Sequence, residues 1–269
     1  GFQLKTYDVI IIGAGPAGTF AAYELMEKAP SLKVLVLESG RDIYHRSCPI
    51  AAGKVPSCIG CKPCSIMRGF GGAGAFSDGK YNFTTAFGGW LNDYISDKEV
   101  MALIRYVDGI NQKHGAPAEV FSTKGSDIGR LALQHDLHLL AASVRHLGTE
   151  NNLKVLEATY EGLKGKAAFR FECPVEHIAS DGKGTNIVTL VSGEHLAAEY
   201  LIVAPGRAGA EWFSKECERL GIKQENNRVD VGVRVEVPEI IWHHITSKVY
   251  EASFFTEQGA AGILSVPSV

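Results

Sequence analysis

The chain has 269 residues, of which 45% are hydrophobic and 21% charged, and its formal net charge is −3. That composition suits a globular protein, excludes a disordered, collagen-like or coiled-coil chain, and offers no cationic surplus for nucleic acid or an anionic membrane. No apolar run near the start approaches the roughly 20 residues that span a bilayer, and no basic stretch precedes one as in a secretory signal, so the expected location is cytoplasmic.

In chain order, Tyr7-Asp8-Val9-Ile10-Ile11-Ile12 is a β-branched run of strand length, suited to a central parallel strand covered on both faces. It runs into Gly13-Ala14-Gly15-Pro16-Ala17-Gly18, after which Phe20, Ala21, Leu25 and Met26 recur at helical spacing until Pro30. A second apolar run, Lys33 to Leu37, ends at Glu38 and completes a β–α–β unit. Gly13 permits the tight turn, Gly15 lets backbone approach a pyrophosphate, and Gly18 lets helix and strand pack closely. Pro16 and Ala17 open a helix whose unpaired N–H groups and dipole face the phosphates. Glu38, with Ser39 beside it, lies 20 residues after Gly18, where a carboxylate accepts hydrogen bonds from ribose hydroxyls and repels a 2′-phosphate. These residues together predict binding of an adenine dinucleotide.

Next come four of the six cysteines, Cys48, Cys58, Cys61 and Cys64, in a C-x9-C-x2-C-x2-C pattern with Pro49 after the first. In a reducing compartment disulfides are disfavoured, which leaves a metal, redox-active thiols or plain packing. Two-residue spacings let thiolates converge on zinc or on an iron–sulfur cluster. Cys173 and Cys217 stand apart and read as buried thiols.

Five glycines then fall between Gly69 and Gly79. The segment Gly71-Gly72-Ala73-Gly74-Ala75-Phe76-Ser77-Asp78-Gly79-Lys80, with Arg145-His146-Leu147-Gly148-Thr149, Ala204-Pro205-Gly206-Arg207 and Val231-Gly232-Val233-Arg234-Val235-Glu236, resembles a family of FAD-dependent dehydrogenases related to the glutathione-reductase-like flavoproteins. The resemblance covers roughly residues 7 to 250. It implies that Gly71 to Ser77 wrap the FAD pyrophosphate and ribityl chain, that Val175 meets the adenine through its backbone, and that Ala204 to Arg207 return the chain to the flavin. Successive small residues can also turn their N–H groups into an anion-binding concavity, in agreement with that role. Arg207 either pairs with phosphate or caps a helix; Lys80 either touches the cofactor or is solvated; His146 either donates a proton at the flavin edge or anchors the fold.

Residues 97 to 114 carry apolar side chains at helical spacing, and so does the leucine-rich stretch 127 to 147, with His135 and His138 three apart. That pair reads as satisfied or solvated, and His243-His244 receive no role. Phe169-Arg170-Phe171 is a short alternating strand, and two alternating runs over 185 to 203 flank Ser192-Gly193 as in a hairpin. Val231, Val233, Val235 and Val237 alternate with Gly232, Arg234 and Glu236, predicting a strand that opens a second domain. The chain begins at Gly1, and after Asp230 it lacks the Gly-Asp segment with which such flavoproteins usually close; both suggest a piece of a longer protein.

The expected fold is therefore α/β: a Rossmann-like FAD/NAD(P)-binding parallel sheet with an inserted antiparallel β-meander and a helical excursion over about 90–150. The expected domains are a FAD-binding domain over 1–230 and an incomplete substrate domain over 231–269. The expected function is FAD-dependent oxidoreduction of a small-molecule substrate or redox partner, with NAD(P)H as a candidate electron donor. The alternatives are an NAD-dependent dehydrogenase and a non-catalytic electron-transfer module built on the four cysteines.

Overall fold

The computed structural model describes residues 4–229, 231–257 and 261–265. Asp230 and parts of the tail discussed above lie outside the described residues. Two compact units are present: the first takes the chain up to Ser77 together with Asn152–Asn227, and the second takes Asp78–Asn151 and the chain from Arg228 onward. The division is thus not a single cut at 230. The excursion that follows the second glycine loop folds with the C-terminal segment.

In the first unit, β1 (Lys5–Ile12), α1 (Pro16–Lys28) and β2 (Val34–Leu37) form the β–α–β unit expected from the sequence. β1 lies between β2 and the long strand His195–Val203 and runs parallel to both, and Ala168–Arg170 adds a further parallel strand beyond β2. Asn186–Leu190 pairs antiparallel with the start of His195–Val203, and Val175–Ser180 pairs antiparallel with it in turn, making one six-stranded sheet. The fold is therefore α/β, a Rossmann-like parallel sheet extended by an antiparallel meander. Consecutive apolar residues explain the order: no residue of Val9–Ile12 is more than 7% exposed, which only a central strand covered on both faces allows. On one side Phe70, Tyr160, Phe169 and Phe171 pack with ring centroids 5.0–5.9 Å apart. Phe70 belongs to the second glycine loop, so the loop is anchored in the core by its own aromatic residue.

Helix Ala210–Arg219 is fastened to the outermost meander strand by Glu216. Its buried carboxylate accepts from the Ile178 N–H at 2.9 Å, lies 2.8 Å from His177 Nδ1 and pairs with the Arg219 guanidinium at 2.6 Å. Trp212 Nε1 donates to the Glu176 carbonyl at 2.8 Å beside it. Burial works to raise the Glu216 pKa, but Arg219, the Ile178 N–H and His177 outweigh it and hold the group at about 2 against an ordinary 4.5. A depressed carboxylate stabilises the fold fully above its unfolded pKa, and the contribution fades as pH falls from about 4.5 toward 2. Glu216→Gln is expected to lower the unfolding free energy at pH 7 by about 3 kcal/mol and to flatten the loss of stability between pH 4.5 and pH 2. Urea unfolding at neutral and acidic pH checks this; parallel pH dependences in the two proteins would contradict it.

The second unit has two three-stranded sheets. In one, Ser143–His146 lies between Lys80–Phe83 and Phe121–Ser122, antiparallel to both. In the other, Glu251–Phe255 lies between Ala261–Ser265 and His138–Leu139. Helix Asp97–Lys113 matches expectation and starts with a capping box between Ser96 and Glu99. It is held by a buried pair in which Arg145 Nε and Nη2 donate to the two carboxylate oxygens of Asp108 at 2.7 and 2.8 Å. Two expectations are corrected. The stretch 127–147 is helical only over Ile128–Leu133; Asp136, at φ +55°, turns the chain away, and two short strands follow. His135 and His138 therefore share no helix face. Residues 231–237 form no strand: Val231, Val233 and Val235 are exposed, since alternation alone gives no ladder without a neighbouring strand. The excursion over 90–150 is accordingly mixed α/β and not helical throughout. Among the described residues no helix is long and apolar enough to cross a membrane.

Candidate functional site

A cavity of about 440 Å³ opens in the first unit where β1, β2 and His195–Val203 end and α1 begins. That is the crevice outside the carboxyl ends of parallel strands where ligands of such sheets bind, and its size falls within the usual range for small-molecule sites. Of the residues predicted to bind cofactor, Gly13, Gly15, Pro16, Glu38, Ser39, Gly72, Ala73, Gly74, Val175, Ala204, Pro205, Gly206 and Arg207 line it. Segments from five separate parts of the chain thus meet in one place. Ala17, Gly18, Gly71, Ala75, Phe76 and Ser77 lie outside the lining.

The three glycines of the opening turn differ in what the protein itself requires. A Cβ added at Gly13 would fall 2.0 Å from the Ala204 carbonyl oxygen, and one at Gly18 would fall 1.8 Å from that of Gly13. Packing alone forbids a side chain at either position. A Cβ at Gly15 would meet nothing nearer than the Cα of Gly72 at 3.6 Å, an ordinary contact. Gly15 caps α1 and faces the cavity without being demanded by the protein's own atoms. The space it leaves open is the space a pyrophosphate needs beside the helix N-terminus.

Glu38 is 6% exposed and serves as a junction of backbones. Its Oε1 accepts from the Ala14 N–H at 3.0 Å, and its Oε2 accepts from Gly40 at 2.7 Å and Gly69 at 3.0 Å. One carboxylate therefore joins the first glycine turn, the turn after β2 and the second glycine loop. Gly40 and Gly69 come so close that a Cβ on Gly40 would lie 2.3 Å from the Gly69 nitrogen. A carboxylate offers about four acceptor positions, so Oε1 keeps capacity toward the cavity that Glu38 lines. The sequence pattern finds this residue but not its structural work.

Two arginines carry no sequence signal at all. Arg46, 6% exposed, donates to the carbonyls of Ser65, Ile66, Phe70 and Gly72 at 2.7–3.0 Å, and its guanidinium lies over the Phe76 ring at 5.0 Å. Burial pushes its pKa down to about 10, opposed by the charge of Glu38, so it remains a cation at neutral pH. Arg68 lines the cavity, with Nη1 donating to Ser39 Oγ at 2.9 Å and Nη2 to the Ala208 carbonyl. Together with Arg207 it gives the lining cationic side chains. Buried Asn152 completes the set by donating from Nδ2 to the carbonyls of Gly74 and Ala75. The second glycine loop is thus held from several sides.

The cysteine pattern has no matching structure. Cys48 and Cys64 are half-buried and Cys58 and Cys61 exposed, all four as free thiols. Among the described residues no three His, Cys, Asp or Glu side chains are grouped to hold a metal ion. Turns closed by the Ala52 N–H on the Cys48 carbonyl and the Arg68 N–H on the Cys64 carbonyl shape this stretch, and short spacing does not make the thiols converge. Cys173 and Cys217 are buried; Cys173 lines the cavity, where burial pushes its thiol up.

Gly15→Ala is expected to leave thermal stability within about 1 kcal/mol of the parent while abolishing cofactor retention, whereas Gly13→Ala and Gly18→Ala lose the fold itself. Thermal melts with and without added cofactor separate the two outcomes. Equal destabilisation by all three substitutions would contradict the reading.

Comparison with known proteins gives three findings. The Thi4 family matches residues 2–43, the opening β–α–β unit. No curated protein matches the sequence significantly. Similar solved structures include a glycine oxidase from Geobacillus kaustophilus, at 17% identity and a TM-score of 0.46, covering 81% of this chain and 59% of that one. Another is NikD, an unusual amino acid oxidase essential for nikkomycin biosynthesis, at 14% identity and a TM-score of 0.44, covering 81% and 55%. A third is a cyclohexanone monooxygenase from Rhodococcus sp. Phi1 bound to NADP+, at 16% identity and a TM-score of 0.34, covering 76% and 26%. The chain spans just over half the length of the two oxidases and about a quarter of the monooxygenase.

Proposed function

We propose that the chain binds FAD in the cavity of the first unit and serves an FAD-dependent oxidoreductase acting on a small molecule. The observation that carries this reading is Gly15, a fingerprint glycine that protein packing leaves free, in the wall of a cavity at the start of α1. The second glycine loop favours FAD over NAD: Gly72, Ala73 and Gly74 form a further wall held by Arg46 and Asn152, which a simple NAD fingerprint does not need.

The residues divide the work by chemistry. The N–H groups opening α1, with Arg68 and Arg207 in the lining, offset the charge of a pyrophosphate. Glu38 takes a ribose hydroxyl through Oε1, and its negative charge disfavours a 2′-phosphate. Backbone at Val175 meets the adenine, and Trp212 and Pro174 close that end with apolar surface. When bound, FAD supplies an acceptor for hydride or electrons.

The purified chain is expected to carry, or to take up stoichiometrically, a chromophore with the visible absorption of oxidised flavin. Titration of the apoprotein with FAD, NAD and NADP checks this by fluorescence. Saturable binding of FAD with the other two far weaker is expected; a colourless protein that binds NAD and ignores FAD would contradict the proposal.

A further inference from the structure

We propose that the second unit carries an acid–base relay, Asp78–His146–Tyr250, in which the Tyr250 hydroxyl exchanges a proton with a substrate bearing an ionisable O–H or N–H. The motifs Asp78-Gly79-Lys80 and Arg145-His146-Leu147-Gly148 are brought together by strand pairing, Lys80 standing opposite His146. The pairing continues past the strand ends, with Leu147 N–H donating to the Gly79 carbonyl at 3.0 Å and Gly148 N–H to that of Asp78 at 2.8 Å. This sets the Asp78 side chain beside the His146 ring.

The ring is held between two different partners. Tyr250 Oη lies 2.6 Å from His146 Nδ1, and the two rings pack at a centroid distance of 5.0 Å. On the other side, His146 Nε2 is buried and makes no hydrogen bond among the described residues, with Asp78 Oδ2 at 3.4 Å. A buried ring nitrogen without a hydrogen bond is costly in a purely structural histidine. It suits a relay in which the imidazole becomes charged during a reaction, because a carboxylate already stands within ion-pair range and such contacts tighten only when the charge develops. Lys80 completes the cluster, with Nζ 3.7 Å from Asp78 Oδ2 and 5.9 Å from the centre of the Tyr250 ring. Phe121, stacked on Tyr250 at 4.7 Å, fixes the plane of the phenol.

The inference rests on the oxidoreductase reading for its place in the reaction. Flavin, when bound, would supply the acceptor for the hydride that an alcohol or amine gives up on oxidation; the relay residues handle only the proton. The proton on the substrate's oxygen or nitrogen passes to Tyr250 Oη as the tyrosine gives its own to His146 Nδ1. The imidazolium beside Asp78 later releases its proton to water.

A sulfonyl fluoride tests the relay without knowledge of the substrate. With phenylmethanesulfonyl fluoride, the phenol oxygen attacks sulfur, the O–S bond forms, fluoride leaves, and the phenolic proton goes to His146 Nδ1. Tyr94, 86% exposed, is the unactivated reference in the same molecule. Peptide mass spectrometry is expected to show Tyr250 modified on the order of 100-fold faster than Tyr94, the scale of general-base assistance, with His146→Gln and Asp78→Asn removing most of that advantage. Tyr250 reacting no faster than Tyr94 would overturn the proposal, and so would an undiminished rate in folded His146→Gln. If that variant does not fold, the comparison within the parent protein still decides. Flavin content of the same samples keeps the two readings apart: selective labelling in protein unable to bind FAD sustains the relay and refutes the cofactor assignment, and flavin binding without selectivity does the reverse.

Discussion

The carboxylate of Glu38 holds three backbone segments that are far apart in the chain, and the geometry of the cavity follows from that attachment. Ala14, Gly40 and Gly69 each donate an N–H to it in a place where water cannot substitute. Leaving one such donor unpaired costs roughly 1–3 kcal/mol, so three of them hold the loops in one arrangement more strongly than any surface contact could. The same attachment forces backbone against backbone, which is why glycine stands at 40 and 69. A residue that the sequence pattern assigns to recognition thus also builds the cavity it lines.

A negative group at the centre of a site proposed for an anionic ligand requires compensation, and the first unit has arginines there to supply it. Arg46 is too deeply buried to meet a ligand and donates to the carbonyls of Phe70 and Gly72 in the second glycine loop and of Ser65 and Ile66 just before it. That hold fixes the course of the loop, whose N–H groups at Gly69, Phe70, Gly71 and Gly72 are themselves taken by Glu38, Arg41, Ala14 and Gly69. Arg68 and Arg207, in the cavity lining, add side-chain charge where the phosphates of the proposed cofactor belong. The N-terminus of α1 contributes in the same sense, so backbone dipoles and side chains act together.

The first unit was legible in the sequence where signals are local. A β-branched run, a glycine turn, a helical repeat and an acid at the end of the next strand each reflect one physical demand within a few residues. Arg46, Arg68 and Asn152 were invisible because their partners are main-chain carbonyls and a hydroxyl brought near only by the fold. The leucines of 127–147 fit both a helix and short strands, and Asp136 in a left-handed conformation decided between them. The valines of 231–237 read as a strand, yet a period of two specifies which side chains share a face and not that a partner strand exists. The cysteine spacing is a related case: nearness along the chain does not by itself supply the turns that aim thiols at one point, and among the described residues no three such side chains are grouped.

Amide exchange at Ala14, Gly40 and Gly69 tests the central claim most directly, because these three N–H groups share one acceptor. Measured by NMR on the parent protein and on Glu38→Gln, the three amides are expected to open with a common free energy in the parent and to lose protection together in the variant. Three unrelated exchange rates, or protection unchanged by the substitution, would show that Glu38 does not organise the cavity.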